Sequence, residues 1–117
     1  MTPMYGVMRA VAADIRGKGL PDIVAVSFLD QTRFPQRAEL QLDSIILLDQ
    51  TSPGRFERHA VEKVHCDHLT CALGDLYGDG RVHLVTGNAF LSETGPYTDA
   101  VTVWNIRSKD SAASRQR

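Results

Sequence analysis

Two nine-residue stretches of the chain are near copies: D-I-R-G-K-G-L-P-D begins at Asp14, and D-L-Y-G-D-G-R-V-H begins at Asp75, 61 residues later. Both keep the frame D-x-x-G-x-G. Both also sit between short apolar runs, V-A-A and I-V-A-V-S-F around the first, A-L-G and L-V-T-G around the second. Glycine reaches positive φ without a Cβ penalty, so each stretch reads as a tight turn joining two strands. A frame that recurs together with its flanking strands makes the chain a tandem repeat. Such repeats are supersecondary units that bury their faces against one another.

Alternation and turn residues predict seven strands, at about residues 8–14, 22–28, 43–50, 55–63, 69–75, 82–88 and 99–106. They divide into a four-stranded unit over 8–63 and a three-stranded unit over 64–106, after an N-terminal extension of residues 1–7. In the first unit the turn S-P-G separates D-S-I-I-L-L-D from G-R-F-E-R-H, whereas D-A-V-T-V-W, from Asp99, has no fourth strand after it. Residues 107–117 are small, polar and basic, without an apolar period, and read as a disordered tail. The fold class expected is all-β.

A loop offering carboxylates at positions 1, 3, 5 and 9, with a backbone carbonyl at 7, can wrap a calcium ion. Loops of the form D-x-D-x-D-G-x-x-D between strands mark the FG-GAP (VCBS, integrin-α-like) β-propeller repeats. Residues 8–106 resemble two consecutive four-stranded blades of such a propeller, the second incomplete. The resemblance implies a non-enzymatic binding or scaffold module with protein or glycan ligands, in proteins that are commonly exported or at the cell surface. It also implies either a piece of a larger propeller, because closure normally takes at least four blades, or self-association of copies into a ring. A third setting is that of an accessory propeller within a larger exported enzyme.

The two loops depart from the calcium pattern, and the departures decide their chemistry. In the first, Asp14 and Asp22 hold positions 1 and 9, but Arg16 and Lys18 stand where carboxylates belong at 3 and 5. Two cations facing two anions leave a divalent ion nothing to neutralise, so this degenerate loop is expected to be metal-free, with Arg16 or Lys18 bridging the aspartates. The second loop keeps Asp75 and Asp79, has Tyr77 at position 3, offers Arg81 through its backbone carbonyl, and carries His83 at position 9. It is the candidate for weak calcium binding.

The segment H-C-D-H-L-T-C, His65 to Cys71, gathers four imidazoles and thiols of the kind zinc prefers. On an extended chain Cys66 and Cys71 are roughly 16 Å apart and cannot share an ion without a bend. A zinc protein or metal-dependent enzyme using His65, Cys66, His68 and Cys71 is therefore the competing reading. Blade topology brings the 29–42 and 89–98 connections beside His65, Asp67 and His68, and both exceed ordinary hairpin length. Long loops on a rigid scaffold are where binding residues collect, so Arg33, Phe34, Arg37, Phe90, Glu93 and Tyr97 complete the expected binding face. No nucleophile elbow or phosphate-cradling glycine loop is present in the sequence, and no catalytic residue is assigned.

Net charge is −1 over 117 residues, which gives no electrostatic footprint for nucleic acid. No apolar run approaches the length of a membrane span. The opening residues M-T-P-M-Y-G-V-M-R lack the pattern of a secretion signal, which points to a cytoplasmic protein or to a piece of a longer one. With only one interface between two units, Ile23, Val26 and Leu84 or their neighbours are expected to leave apolar surface exposed.

Overall fold

The computed structural model describes residues 2–89 and 100–106 in full and residues 114–116 by their backbone. The described residues form two antiparallel sheets, neither closed on itself. The first runs β1 (Val7–Ala13), β2 (Asp22–Ser27), β3 (Asp43–Ser52) and β4 (Arg55–Lys63) in spatial order, with one helical turn, α1 (Gln36–Glu39), between β2 and β3. The second sheet is built from β5 (His68–Gly74), β6 (His83–Asn88) and β7 (Val101–Asn105). A three-residue strand, β8 (Ser114–Gln116), lies on the outer edge of β7, pairing Gln116 with Val103 and Ser114 with Asn105. The expectation of an unaccompanied β7 and a wholly unstructured tail is corrected to that extent.

Both D-x-x-G-x-G stretches fold into the same turn. Gly17 and Gly19 have φ of 65° and 85°, and Gly78 and Gly80 have φ of 69° and 83°. In each loop the leading aspartate closes the turn with its side chain. Asp14 accepts the Lys18 and Gly19 amides at 3.0 and 2.7 Å, and Asp75 accepts the Asp79 and Gly80 amides at 3.1 and 2.9 Å. Side-chain capping of this kind suits aspartate and holds a turn without an ion. At the β3–β4 hairpin, Pro53 presets the turn and Gly54, at φ 80°, supplies the residue that follows it.

The sheets share one core. Val24, Val26, Ile45 and Leu47 from the first meet Cys71, Leu84 and Trp104 from the second, with Val11, Val61 and Leu73 at the margin. Val26 and Leu84, expected on exposed faces, are fully buried here. The reverse face of the first sheet carries Ala25, Ile46 and Leu48, with Ile23 and Phe56 beside them on the same face, and Met4 packs against it. This explains the unbroken apolar run I-I-L-L: β3 is buried on both faces, so its odd and even positions are both apolar. The N-terminal residues therefore extend across the first sheet instead of remaining a free extension. Arg58 anchors them by donating to Thr2 Oγ1 at 2.5 Å and to the Pro3 carbonyl at 2.6 Å. No helix among the described residues is long and apolar enough to cross a membrane.

Candidate functional site

Three connections meet at one end of the sheets, and the link between β4 and β5 is their centre. The Leu29 amide donates to the Cys66 carbonyl at 2.7 Å, and the Ala89 amide donates to the Asp67 carbonyl at 2.8 Å. The connections after β2 and after β6 are thereby both hydrogen-bonded to residues 66 and 67. The D-x-x-G-x-G turns join the opposite strand ends.

The link itself is tightly wound. Val64 has φ 76°, a region that a β-branched residue enters only at a cost of about 1–3 kcal/mol. The His65 amide donates back to the Lys63 carbonyl at 2.9 Å, which closes a three-residue turn around Val64. Two more such bonds follow, Cys66 to Val64 and Asp67 to His65, both at 2.8 Å. The strain is held by the paired connections on either side. Its effect is to leave the His65 side chain exposed while Cys66, Asp67 and His68 turn inward.

The sequence pattern puts Arg37 and Asp67 among the ligand contacts, but both are buried struts. Arg37 Nη1 donates to Asp67 Oδ1 at 2.8 Å, to the Leu29 carbonyl at 2.8 Å and to the Cys66 carbonyl at 3.2 Å. The helical turn α1 delivers this arginine to the interior, and its ion pair pins the 29–42 connection against the link. Arg33, by contrast, projects with its side chain 90% exposed, Leu40 is 58% exposed, and Phe34 is half-buried between them. Phe90, Glu93 and Tyr97 lie outside the described residues.

His68 is likewise buried and fully engaged. Its Nε2 sits 2.6 Å from Glu62 Oε1 and its Nδ1 sits 2.6 Å from Asn88 Oδ1. Which ring nitrogen donates in each bond follows from the tautomer of the imidazole. Ser44 Oγ donates to the same Glu62 oxygen at 2.7 Å, and Asn88 Nδ2 donates to Thr102 Oγ1 at 3.0 Å. The chain Ser44–Glu62–His68–Asn88–Thr102 thus runs from the first sheet into the second. Trp104 meets the His68 ring edge-on at 6.1 Å and donates its indole N–H to Thr86 Oγ1 at 3.0 Å. A cavity of about 80 Å³ beside this network is lined by Glu62, His65, Asp67, His68, Asn88, Thr102 and Trp104.

Among the described residues, no group of three or more His, Cys, Asp or Glu side chains is placed to hold a metal ion. Cys66 and Cys71 are unpaired and buried, and burial pushes both thiols above their ordinary value. A neutral thiol is a poor ligand and a poor nucleophile.

At the opposite end, the first loop carries its own cations. Lys18 Nζ lies 2.5 Å from Asp22 Oδ1 and 2.7 Å from Asp49 Oδ1, and the Arg16 guanidinium also binds Asp49. The bridge therefore joins Asp22 to Asp49 of β3, whereas the loop sequence suggests Asp14 and Asp22. Asp14 is occupied by backbone amides, and the hydrogen bond from Gly19, helped by Lys18 and Gly17, holds its carboxyl below the ordinary value. In the second repeat the counterparts of Asp22 and Asp49 are His83 and Asn105. The cationic positions change with them, to Tyr77 and Asp79, and Tyr77 packs edge-on against His83 at 4.9 Å. Asp79 Oδ1 accepts the Arg81 amide at 2.9 Å, and the Gly80 amide in particular, with those of Asp79 and Gly78, keeps Asp75 below its ordinary value.

Asp49, Glu62 and Val64 escape a reading by sequence. Asp49 alone leaves a signal, as a lone acid closing an apolar strand. No protein-family model, curated protein or solved structure matches this chain.

Proposed function

We propose that this chain is a non-enzymatic binding or scaffold module made of two FG-GAP/VCBS-like propeller blades, with its ligand face on the connections around His65. The observation that carries this reading is the strained link at Val64. Strain of this kind persists where surrounding structure over-determines it, and it collects at sites that bind. Here the over-determination is explicit: the Arg37–Asp67 pair and the Leu29 and Ala89 amides brace the link from both sides. The outcome is a rigid platform from which Arg33, Phe34, Leu40 and His65 project. The blade reading is supported by the two equivalent turns, each at the same place in its sheet.

The ligand class is a protein or glycan surface, read by an arginine, an aromatic ring and an imidazole. A glycan array and a synthetic peptide panel, screened with the chain, supply the probe. Replacing Arg33, Phe34 and His65 by alanine should abolish capture of whatever is bound. Replacing Tyr77 and Arg81, on the glycine-loop end, should leave it intact. Equal loss in the two sets, or binding unaffected by either, would reject the face.

A further inference from the structure

The shared core joins different faces of the two repeats. Repeat one contributes Val11, Val24, Val26, Ile45 and Leu47, whereas repeat two contributes Cys71, Leu73, Leu84 and Trp104. The 61-residue offset makes Val85 the counterpart of Val24 and Ala72 the counterpart of Val11. Register extends the match: Val26 pairs with Ile45 and Val24 with Leu47, as Gly87 pairs with Val101 and Val85 with Val103. Val101 and Val103 are therefore the counterparts of Ile45 and Leu47. In repeat two these residues face away from the core, and the opposite face, led by Leu84 and Trp104, is the one packed.

Such an interface is heterologous: one kind of face meets the other kind, and one of each is left over. The leftover face of repeat two is Ala72, Val85, Val101 and Val103, with Val101 61% exposed and Ala72 exposed. The middle of this face, Ala72, Val85, Val101 and Val103, is apolar, with Thr70 and Asn105 at its ends. At the other end, the leftover face of repeat one is Ile23, Ala25, Ile46 and Leu48. Ile23 stands for Leu84 there, and Leu48 for Trp104. Phe56 of β4 belongs to the same face, and what packs against it from outside the sheet is Met4, in the non-strand segment Thr2–Tyr5, where the core has a whole sheet.

We propose that the Ala72–Val85–Val101–Val103 face receives, head to tail, the Ile23–Ala25–Ile46–Leu48 face of a second copy of this chain, which releases its Thr2–Tyr5 segment on docking. The occupant is a second copy because the chain itself carries the complementary face, and the fit repeats the one already used between its own sheets. The N-terminal segment is then a plug that association displaces, with Arg58 as its anchor. This inference rests on the blade-like equivalence of the two sheets and not on the ligand face, so binding by the Arg33–His65 platform stands or falls separately.

Sedimentation velocity on the full chain, from low micromolar to the solubility limit, tests it. The wild type should show a mass that rises with concentration above 12.9 kDa. Val101→Glu changes a residue already exposed in the single chain. At concentrations where the wild type is a monomer it should leave the melting temperature unchanged, and it should weaken association at least about a hundredfold, because docking would bury an unpaired charge. Met4→Ser loosens the plug and should strengthen association several-fold. A single 12.9 kDa species at every concentration, in the wild type and in Met4→Ser alike, overturns the proposal. So does association that survives Val101→Glu. Loss in Val101→Glu with no gain in Met4→Ser also rejects it, since that pattern belongs to a two-fold contact between open faces.

Discussion

Arg37 Nη1 lies 2.8 Å from Asp67 Oδ1, both side chains are buried, and the pair ties the first sheet's long connection to the link between the sheets. Removing one partner leaves the other charge buried and alone, which costs about 3–5 kcal/mol. Arg37→Met and Asp67→Leu should each destabilise the chain by that order in urea unfolding. The double replacement should recover most of the loss, because it buries no charge. A double variant as unstable as the sum of the singles would show that the pair does not act as a unit.

Val64 is the second test of the link. Replacing it with glycine removes the penalty of a β-branched residue at φ 76° and adds flexibility to the unfolded chain. Relief of the strain outweighs the added flexibility, so Val64→Gly should raise stability by about 1 kcal/mol. It should also weaken ligand capture, because the platform under His65 is no longer forced into one geometry. Denaturant unfolding and the capture assay read the two effects independently.

Calcium should act through the second loop and only slightly. Asp75 and Asp79 are its two carboxylates, whereas Lys18 and Arg16 already neutralise Asp22 of the first loop and Asp49 of β3 beside it. Two carboxylates hold calcium on the order of millimolar. At a concentration equal to that constant the gain is about 0.4 kcal/mol, or about 2–3 °C in melting temperature. Asp79→Ala should abolish the shift, and Asp14→Ala should not. Calorimetric titration that finds two ions per chain would contradict the reading of Lys18 as the first loop's cation.

Acid should unfold the chain in part through Asp43. Burial opposes ionisation there, but hydrogen bonds from Arg58 and Lys63 outweigh it and hold the carboxyl below its ordinary value of 3.8. A depressed folded value means stability that is present above 3.8 and lost as pH falls through the lower folded value. The Asp14 and Asp75 carboxyls, held down by loop amides, act in the same direction. Melting temperature should therefore fall steeply below about pH 4, and Asp43→Asn should flatten that limb while lowering the plateau at neutral pH. An unchanged acid limb would rule Asp43 out as a source of the acid sensitivity.

The strands were legible because alternation and turn glycines are local signals: the first seven lie within a few residues of their expected bounds. The glycine loops were legible for the same reason. What local patterns could not supply was direction. Arg37 and His68 carry the composition of a binding face, yet the fold turns both inward to satisfy buried partners: Asp67, far along the chain from Arg37, and Glu62, on β4 of the other sheet. Val26 and Leu84 alternate like residues of an outer face, but which side of a sheet meets its neighbour is decided by the stacking of the repeats. Met4, in a segment without period, gave no hint that it covers Ile46. The short β8 was hidden in a polar tail whose pairing with β7 comes from the backbone.

One core shared by two repeats holds the chain together, and Trp104, the chain's single tryptophan, reports on it from the second sheet. Ile45 lies in the first sheet and Leu84 in the second, both with no exposure. Truncation of either to alanine should cost about 2–5 kcal/mol. Urea unfolding should be followed by Trp104 fluorescence and far-ultraviolet circular dichroism together. Ile45→Ala is expected to move the Trp104 transition to lower urea by as much as Leu84→Ala does, with the two signals superimposed in each variant. A Trp104 transition left in place by Ile45→Ala, while the dichroism splits into two steps, would mean two independent sheets and would contradict the shared core.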